Sequence, residues 1–170
     1  MTLPSFAYHP DPLATGSIAE SDAECEACGQ ERGYIYRGPV YAEDDVEDLC
    51  PWCIADGSAA ERFDATFTDV EDSDLPDDVA ETIATRTPGF SGWQQEVWLS
   101  HCGDGAEFLG RAGAVELAAY PDALADIRLG LRQRDGADRF LAALDKDGQP
   151  TAYLFRCRVC RTHVAYTDSA

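Results

Sequence analysis

Two pairs of cysteines in the first third of the chain constrain its fold more than any other feature of the sequence. The first pair lies in CEACG and the second in CPWC, with 21 residues between them, which is close to the spacing of a zinc ribbon. Two residues between thiolates allow a tight turn to direct both sulfurs at one ion, and Gly29 permits the backbone reversal that this turn needs. We therefore predict a structural zinc site within a zinc-ribbon-like lobe over residues 20–56, with the ligands Cys25, Cys28, Cys50 and Cys53.

The second pair has an alternative interpretation. A CxxC with Pro and Trp inside it, leading into a helix, is also typical of the active site of a thiol–disulfide oxidoreductase. The acidic segment AEDDVEDL precedes this pair, and nearby negative charge raises the pKa of a thiol, which is the opposite of what a redox nucleophile needs. A redox pair also needs no second CxxC, whereas one lies upstream. The sequence therefore favours the metal site.

The three remaining cysteines predict a second zinc ion. Cys157 and Cys160 lie in CRVC, and Cys102 lies in HCGD. The fourth ligand is either His101 or His163. Neighbouring side chains diverge, which disfavours His101 together with Cys102 unless HCGD forms a turn, whereas His163 follows CRVC at a short but feasible spacing.

Thiolate-rich zinc sites are closed and structural, whereas a catalytic zinc keeps an open coordination position. We therefore predict no catalytic residues. The alternative is a zinc-dependent hydrolase that uses His101, Cys102 and Asp104 around an incompletely ligated second ion.

The charge of the chain is strongly negative and unevenly distributed. The net charge is −19, and residues 1–100 hold 22 acidic and 4 basic side chains. Such a field repels nucleic acid and anionic lipid and attracts basic partners, although it also serves solubility. The near-neutral remainder carries the only arginine-rich stretch, 128–139. We find no secretory signal and no apolar run that could span a membrane, and we expect a reducing cytoplasm, where disulfides are rare.

The pattern of short segments predicts an α+β fold, with short antiparallel strands bearing the zinc knuckles and packed against about five helices. GYIYRGPVY is expected to form a hairpin or two strand pieces. Helices are predicted from near Ala59, from Pro76, from Ser91 and over three stretches after residue 111. We expect a single domain over residues 1–170, in which residues 92–170 form a helical part that closes on a C-terminal hairpin bearing CRVC.

Four stretches of the chain resemble the CbrC family of bacterial proteins: LPSFAYHPDPLATGSI, CPWCIADGSAAERFDATF, RTPGFSGWQQEVWLSHCGD and YLFRCRVC. The resemblance implies that the seven cysteines are metal ligands. It also implies an association with tolerance to nuclease-type colicins, since some relatives look like immunity proteins.

Charge and resemblance together predict a zinc-stabilised acidic protein that neutralises a basic nuclease-type toxin by covering its cationic surface. Tyr41 and Phe67 are candidate anchors. A third alternative is a zinc-ribbon protein with an interaction or regulatory role. The carboxylates predicted to contact the partner are Glu43, Asp44, Asp45, Asp69, Glu71, Asp72, Asp74, Asp77 and Asp78.

Overall fold

The structure, a computed structural model, describes residues 2–70 and 75–170. Over these residues the chain forms six helices and seven short strands, and every strand pair is antiparallel. The α+β prediction is therefore confirmed. The chain divides into two compact units, of which the first is Met1–Ser91 with Glu96–Trp98 and the second is Gly92–Gln95 with Leu99–Ala170. The prediction of a single domain over residues 1–170 stays a prediction.

The first unit combines a two-stranded sheet with three helices. Strands β1 and β2 pair antiparallel, with Ile18 opposite Tyr36. The first part of GYIYRGPVY therefore pairs with the N-terminal arm, and Tyr41 in its last part forms a separate bridge with Thr66. Of the two predicted forms, the segment takes that of separate pieces and not that of a hairpin, because the arm supplies the partner strand. The elements are β1 (Ile18–Glu20), β2 (Tyr34–Tyr36), α1 (Pro51–Ala55), α2 (Ser58–Phe63) and α3 (Asp77–Arg86). Its core includes Phe6, Ile18, Tyr36, Leu49, Ile54 and Phe67.

Helix α2 begins where the sequence predicts, but for a different reason. The residue before it, Gly57, has φ = +83°, so the chain enters the helix through a conformation that favours glycine. The Ser58 hydroxyl does not cap the helix and instead donates to Asp56 Oδ1 at 2.6 Å. The pattern of Ser58 followed by Glu61 predicts a capping box at this helix start, and that prediction is wrong, although the helix is present.

The second unit is built around a three-stranded sheet, in which β6 (Thr151–Arg156) lies between β5 (Glu107–Ala112) and β7 (His163–Asp168). Strands β6 and β7 form a hairpin whose tip carries Cys157 to Cys160, and helix α5 packs beside β7. A core of small and branched side chains, including Leu117, Ile127 and Leu154, joins the helices to the sheet. The elements are β3 (Ser100–His101), β4 (Asp104–Gly105), β5 (Glu107–Ala112), α4 (Ala114–Leu117), α5 (Pro121–Gly130), α6 (Ala137–Ala142), β6 (Thr151–Arg156) and β7 (His163–Asp168).

The helix predicted after Ser91 is absent, and that prediction is wrong. The backbone N–H groups of Trp93 and Gln94 both donate to Asp168 Oδ2, at 3.1 Å each, and the Trp93 indole N–H donates to the carbonyl of Gly148 at 3.0 Å. In a helix capped by Ser91 these first-turn N–H groups would have no intrahelical acceptor, and here acceptors from the far end of the chain satisfy them while the segment stays irregular. None of the helices in the described ranges has the length and apolar character needed to cross a bilayer.

Candidate metal centres

The first cluster consists of the four cysteines of the two CxxC pairs near the N-terminus. Their sulfur atoms all lie within 4.8 Å of one another, and the Sγ atoms of Cys28 and Cys50 are 4.0 Å apart. A tetrahedral ion with metal–sulfur bonds of about 2.3 Å places its ligands about 3.8 Å apart. The four sulfurs are therefore close enough together that they could hold one tetrahedral ion.

The first half of this cluster is a tight turn fixed by two backbone hydrogen bonds. Cys25 N–H donates to the carbonyl of Gln30 at 3.0 Å, and Gly29 N–H donates to the carbonyl of Cys25 at 2.7 Å. Gly29 has φ = +66°, which confirms that the reversal after the pair uses a glycine conformation. The turn directs the sulfurs of Cys25 and Cys28 to the same side.

The second half of the cluster lies at the start of helix α1. Cys50 precedes the helix, Pro51 is its first residue and Cys53 lies in its first turn. The N–H of Cys50 donates to the sulfur of Cys25 at 3.2 Å. The carboxylate of Glu26 accepts the backbone N–H groups of residues 47 and 48 at 2.9 Å each, so the two halves are also joined without a metal.

Burial and mutual hydrogen bonding set the acidity of these thiols. A hydrogen bond from the Cys50 thiol lowers the pKa of Cys25 to about 4, and the same bond raises the pKa of Cys50. Burial raises the pKa of Cys53 to about 11. An ion that recruits these thiols must displace the protons that they carry.

The second cluster consists of His101, Cys102, Cys157 and Cys160, whose ligand atoms also lie within 4.8 Å of one another. His101 Nδ1 is 3.2 Å from the sulfur of Cys102 and 3.4 Å from that of Cys160. A tetrahedral ion with one nitrogen and three sulfur ligands places nitrogen and sulfur about 3.6 Å apart. This donor set could hold a second ion.

A two-residue turn allows two adjacent residues to share one site. Strands β3 and β4 pair His101 with Asp104, and the residues between them, Cys102 and Gly103, have φ = +56° and +73°. Positive φ at both central residues is typical of a type I′ hairpin turn. The turn brings the side chains of His101 and Cys102 together. Adjacent residues rarely share one ion, but this turn allows both of them to lie in the cluster.

The other candidate ligand, His163, does not lie in the cluster. Its backbone N–H and its ring Nδ1 both contact Asp122 Oδ2, at 2.8 and 3.1 Å, and its ring lies 4.7 Å from that of Tyr120. His163 thus ties β7 to helix α5. The structure brings His101, and not His163, to the three sulfurs.

The turns of the two clusters have the same backbone hydrogen bonds. Cys157 N–H donates to the carbonyl of Thr162 at 2.8 Å, and Arg161 N–H donates to the carbonyl of Cys157 at 3.1 Å, which repeats the pattern of the first turn. Arg161 has φ = +66°, the value found at Gly29. The sequence does not indicate that the two turns share this geometry, because Arg161 occupies the position that Gly29 occupies in the first turn.

Most of the carboxylates predicted to contact a partner are exposed. Tyr41 is 40% exposed, and its hydroxyl donates to Glu96 Oε2 at 2.6 Å. Phe67 is fully buried, so its prediction as a partner anchor is wrong. Glu71, Asp72 and Asp74 lie outside the described residues. The exposed carboxylates are Glu43, Asp44, Asp45, Asp69, Asp77 and Asp78.

Backbone contacts join the segments that carry these carboxylates. Tyr41 and Thr66 exchange two hydrogen bonds, of 2.8 and 3.0 Å, which sets the chain before residues 43–45 beside the chain before Asp69. Phe67 N–H donates to the carbonyl of Ala84 in helix α3 at 2.8 Å. The exposed carboxylates thus lie on three mutually bonded parts of the first unit.

Comparisons with known proteins identify relatives along nearly the whole chain. Residues 3–169 match the model of a family described as an uncharacterised protein family, UPF0167. The UPF0167 proteins of Mycobacterium bovis and Mycobacterium tuberculosis are each 54% identical over 176 residues, covering 99% of this chain and 94% of the relative. A UPF0167 protein of Pseudomonas aeruginosa is 41% identical over 169 residues, covering 93% of this chain and 92% of the relative. No solved structure matches the chain.

Proposed function

The chain belongs to the UPF0167 family, and on that premise we propose that it is a zinc-stabilised acidic binding protein that neutralises a basic, nuclease-type bacterial toxin. It would do so by covering the cationic surface with which the toxin binds nucleic acid. The choice of a nuclease toxin draws on the resemblance to the CbrC family. The physical argument below concerns the acidic surface and its rigidity.

Zinc is the ion that suits both clusters best. One offers four thiolates and the other offers three thiolates and an imidazole, which are the donor sets of structural zinc sites. Calcium and magnesium prefer oxygen ligands, and neither cluster offers one. The mutual distances of the donors support tetrahedral coordination at both clusters.

The observation that carries the proposal is the group of exposed carboxylates in the first unit. Residues 1–100 hold 22 acidic and 4 basic side chains, and the Tyr41–Thr66 bridge joins two of the exposed acidic segments. Such a surface attracts a basic protein from a distance and repels nucleic acid. Association with a basic partner is therefore expected to be fast and to weaken steeply with salt.

The first metal centre would give this surface a fixed shape. The acidic segment 43–48 runs directly into Cys50, and the N–H groups of residues 47 and 48 are held by Glu26, which lies between the first two cysteines. A partner then meets carboxylates that are already ordered, so little conformational entropy is lost on binding. This link between metal and surface makes binding depend on the ion.

The proposal is tested by measuring binding of the zinc-loaded protein to a panel of purified nuclease domains from bacteriocins, at low and at high salt, together with inhibition of DNA or RNA cleavage. We expect tight binding to at least one domain and loss of its nuclease activity. A triple variant, Glu43→Lys, Asp44→Lys and Asp45→Lys, is expected to weaken binding by about a hundredfold, because close charge pairs contribute several kcal/mol to such interfaces.

The matched control carries the same change in charge elsewhere in the first unit, at three exposed acidic residues. Glu20→Lys, Asp22→Lys and Glu31→Lys should lower the association rate modestly and leave the dissociation rate unchanged. Equal effects of the two triple variants would mean that only net charge matters, and absence of binding to every basic nuclease at low salt would remove the proposal.

The hydrolase alternative receives no comparable support. It requires an open coordination position, whereas the second cluster offers four donors, and the carboxylate of Asp104 pairs with Arg158 at 2.8 Å. If the zinc-ribbon alternative acted by binding nucleic acid, as zinc ribbons commonly do, it would depend on the arginines of residues 128–139, where Arg128 pairs with Asp138. A gel-shift assay at low salt tests that alternative directly.

A further inference from the structure

The two clusters differ sharply in the access of solvent to their sulfurs. In the first cluster Cys25 and Cys50 are fully buried, Cys53 is 3% exposed and Cys28 is partly exposed. In the second cluster Cys102 and Cys160 are exposed, and only Cys157 is buried. Thiolates react with small oxidants according to their exposure and charge, so the second cluster is the one open to chemical modification.

Hydrogen bonding also makes the three sulfurs of the second cluster differ in reactivity. The buried Cys157 Sγ accepts the N–H groups of Val159 and Cys160, each at 3.4 Å, which stabilises its charge and reduces its reactivity. The two exposed sulfurs come from different hairpins, since Cys102 lies in the β3–β4 turn and Cys160 lies at the β6–β7 tip. They lie within 4.8 Å of each other.

We propose that the second metal centre is an oxidation site at which hydrogen peroxide joins Cys102 and Cys160 in a disulfide and thereby releases the bound ion. This rests on the proposed binding of zinc to the second cluster and not on any toxin partner. The first centre, three of whose four cysteines are buried, keeps its ion under the same conditions.

The chemistry is a two-electron oxidation of a pair of thiolates. One thiolate attacks an oxygen of the peroxide, forming an S–O bond, breaking the O–O bond and releasing hydroxide. The other thiolate then attacks the resulting sulfenic sulfur, so the S–S bond forms and the second oxygen leaves as hydroxide. Two protons from solvent convert the hydroxides to water. The zinc ion leaves with its charge unchanged, because His101 and Cys157 alone do not hold it.

The experiment uses the full chain loaded with zinc. Its metal content is measured first, and we expect two ions per chain. Peroxide is then added with a chromogenic zinc chelator present. We expect one ion to be released at least about tenfold faster than the other, and peptide mass mapping to find the disulfide between Cys102 and Cys160. Reduction with excess thiol and zinc should restore two ions.

Two variants assign the fast release to one cluster. Cys102→Ser is expected to abolish it, whereas Cys28→Ser is expected to lose one ion from the first cluster and keep the fast release. If either variant fails to fold, differential alkylation of the wild-type chain gives the same assignment, because the four cysteines of the first cluster should stay reduced while Cys102 and Cys160 become protected.

The possible outcomes distinguish failure of the proposed oxidation site from failure of the proposed zinc binding at the second cluster. A chain that holds only one ion before oxidation contradicts both the zinc assignment of the second cluster and the oxidation site. Two ions that leave at equal rates, an ion that leaves first from the first cluster, or a disulfide between Cys157 and Cys160 would overturn the oxidation site alone.

Discussion

At the scale of single residues, the CxxC turns of the two clusters differ most at the position that follows each pair. Gly29 and Arg161 both have φ = +66° and both donate to the carbonyl of the first cysteine. Glycine adopts this conformation freely, whereas a residue with a side chain is disfavoured by about 1–2 kcal/mol. Glycine marks the first turn in the sequence, whereas the second turn was predicted from CRVC alone, without a glycine after the pair.

Replacing each of these residues by alanine should therefore have unequal effects. Gly29→Ala is expected to lower the free energy of unfolding by about 1 kcal/mol, through backbone strain alone, because an added Cβ would meet only Glu24 Oε1 at 3.5 Å. The matched control, Arg161→Ala, should change it by less than about 0.5 kcal/mol, because a side chain is already present there. Denaturant titration of the zinc-loaded variants measures both, and equal destabilisation would contradict the explanation.

The buried histidine His9 predicts a dependence of stability on pH. Its Nδ1–H donates to the carbonyl of Pro88 at 2.6 Å, its Nε2 accepts the hydroxyl of Thr15 at 2.7 Å, and the residue has no exposed surface. Burial lowers its pKa from 6.5 to about 4. The unfolded chain therefore binds this proton more tightly than the folded chain does. Stability is fully present above pH 6.5 and falls by about 3 kcal/mol as the pH drops to 4.

Acidification also removes protein-bound metal, so the measurement needs a reference that cancels this effect. The variant His9→Asn retains a hydrogen-bond donor near Pro88 and does not titrate. The difference in unfolding free energy between the wild type and this variant should be constant above pH 6.5 and shrink by about 3 kcal/mol between pH 6.5 and 4. A difference that stays constant over this range would show that the His9 ring is not buried in its neutral form.

At the scale of secondary structure, the sequence predicted the elements whose determinants are local. Helix α3 follows Pro76 and helix α5 begins at Pro121, and both carry acidic residues in their first turns. The segment after Ser91 has equally good local features but forms no helix. Its backbone donors are taken by Asp168, which lies more than seventy residues further along the chain. Pattern within a short window cannot detect such a partner.

The carboxylate of Asp168 should therefore be needed for the conformation of this segment. Asp168→Ala leaves the N–H group of Gln94 without its acceptor and that of Trp93 with only the Tyr153 hydroxyl, at 3.3 Å, and is expected to lower the free energy of unfolding by about 1–3 kcal/mol. Asp168→Asn keeps an acceptor oxygen and should cost less. Thermal unfolding, with indole fluorescence as a second readout, compares the two, and an alanine variant as stable as the wild type would contradict this assignment.

At the scale of the whole molecule, the ligands of a cluster were easier to predict from the sequence when they lie close together along the chain. All four residues of the first cluster were predicted, because two CxxC pairs within 29 residues form a recognisable metal-ligand pattern. The second cluster was predicted in part, because its choice between two histidines depends on how the β3–β4 turn meets the β6–β7 tip. His163 lies in β7, which pairs with β6, and its side chain contacts Asp122. The type I′ turn between β3 and β4 directs the His101 side chain to the sulfurs.

Each ion should stabilise the unit that contains its ligands. Structural zinc contributes on the order of 10 kcal/mol to folding, which is comparable to the whole stability of a typical domain of this size. Cys50→Ser is therefore expected to remove one ion and the amide protection of the first unit. Cys157→Ser should remove the other ion and the protection of the β3–β4 and β6–β7 hairpins. Hydrogen exchange with mass spectrometry resolves the two, and excess chelator should reproduce both losses in the wild type. If either substitution left protection in its own unit unchanged while an ion was lost, that ion would have no role in folding.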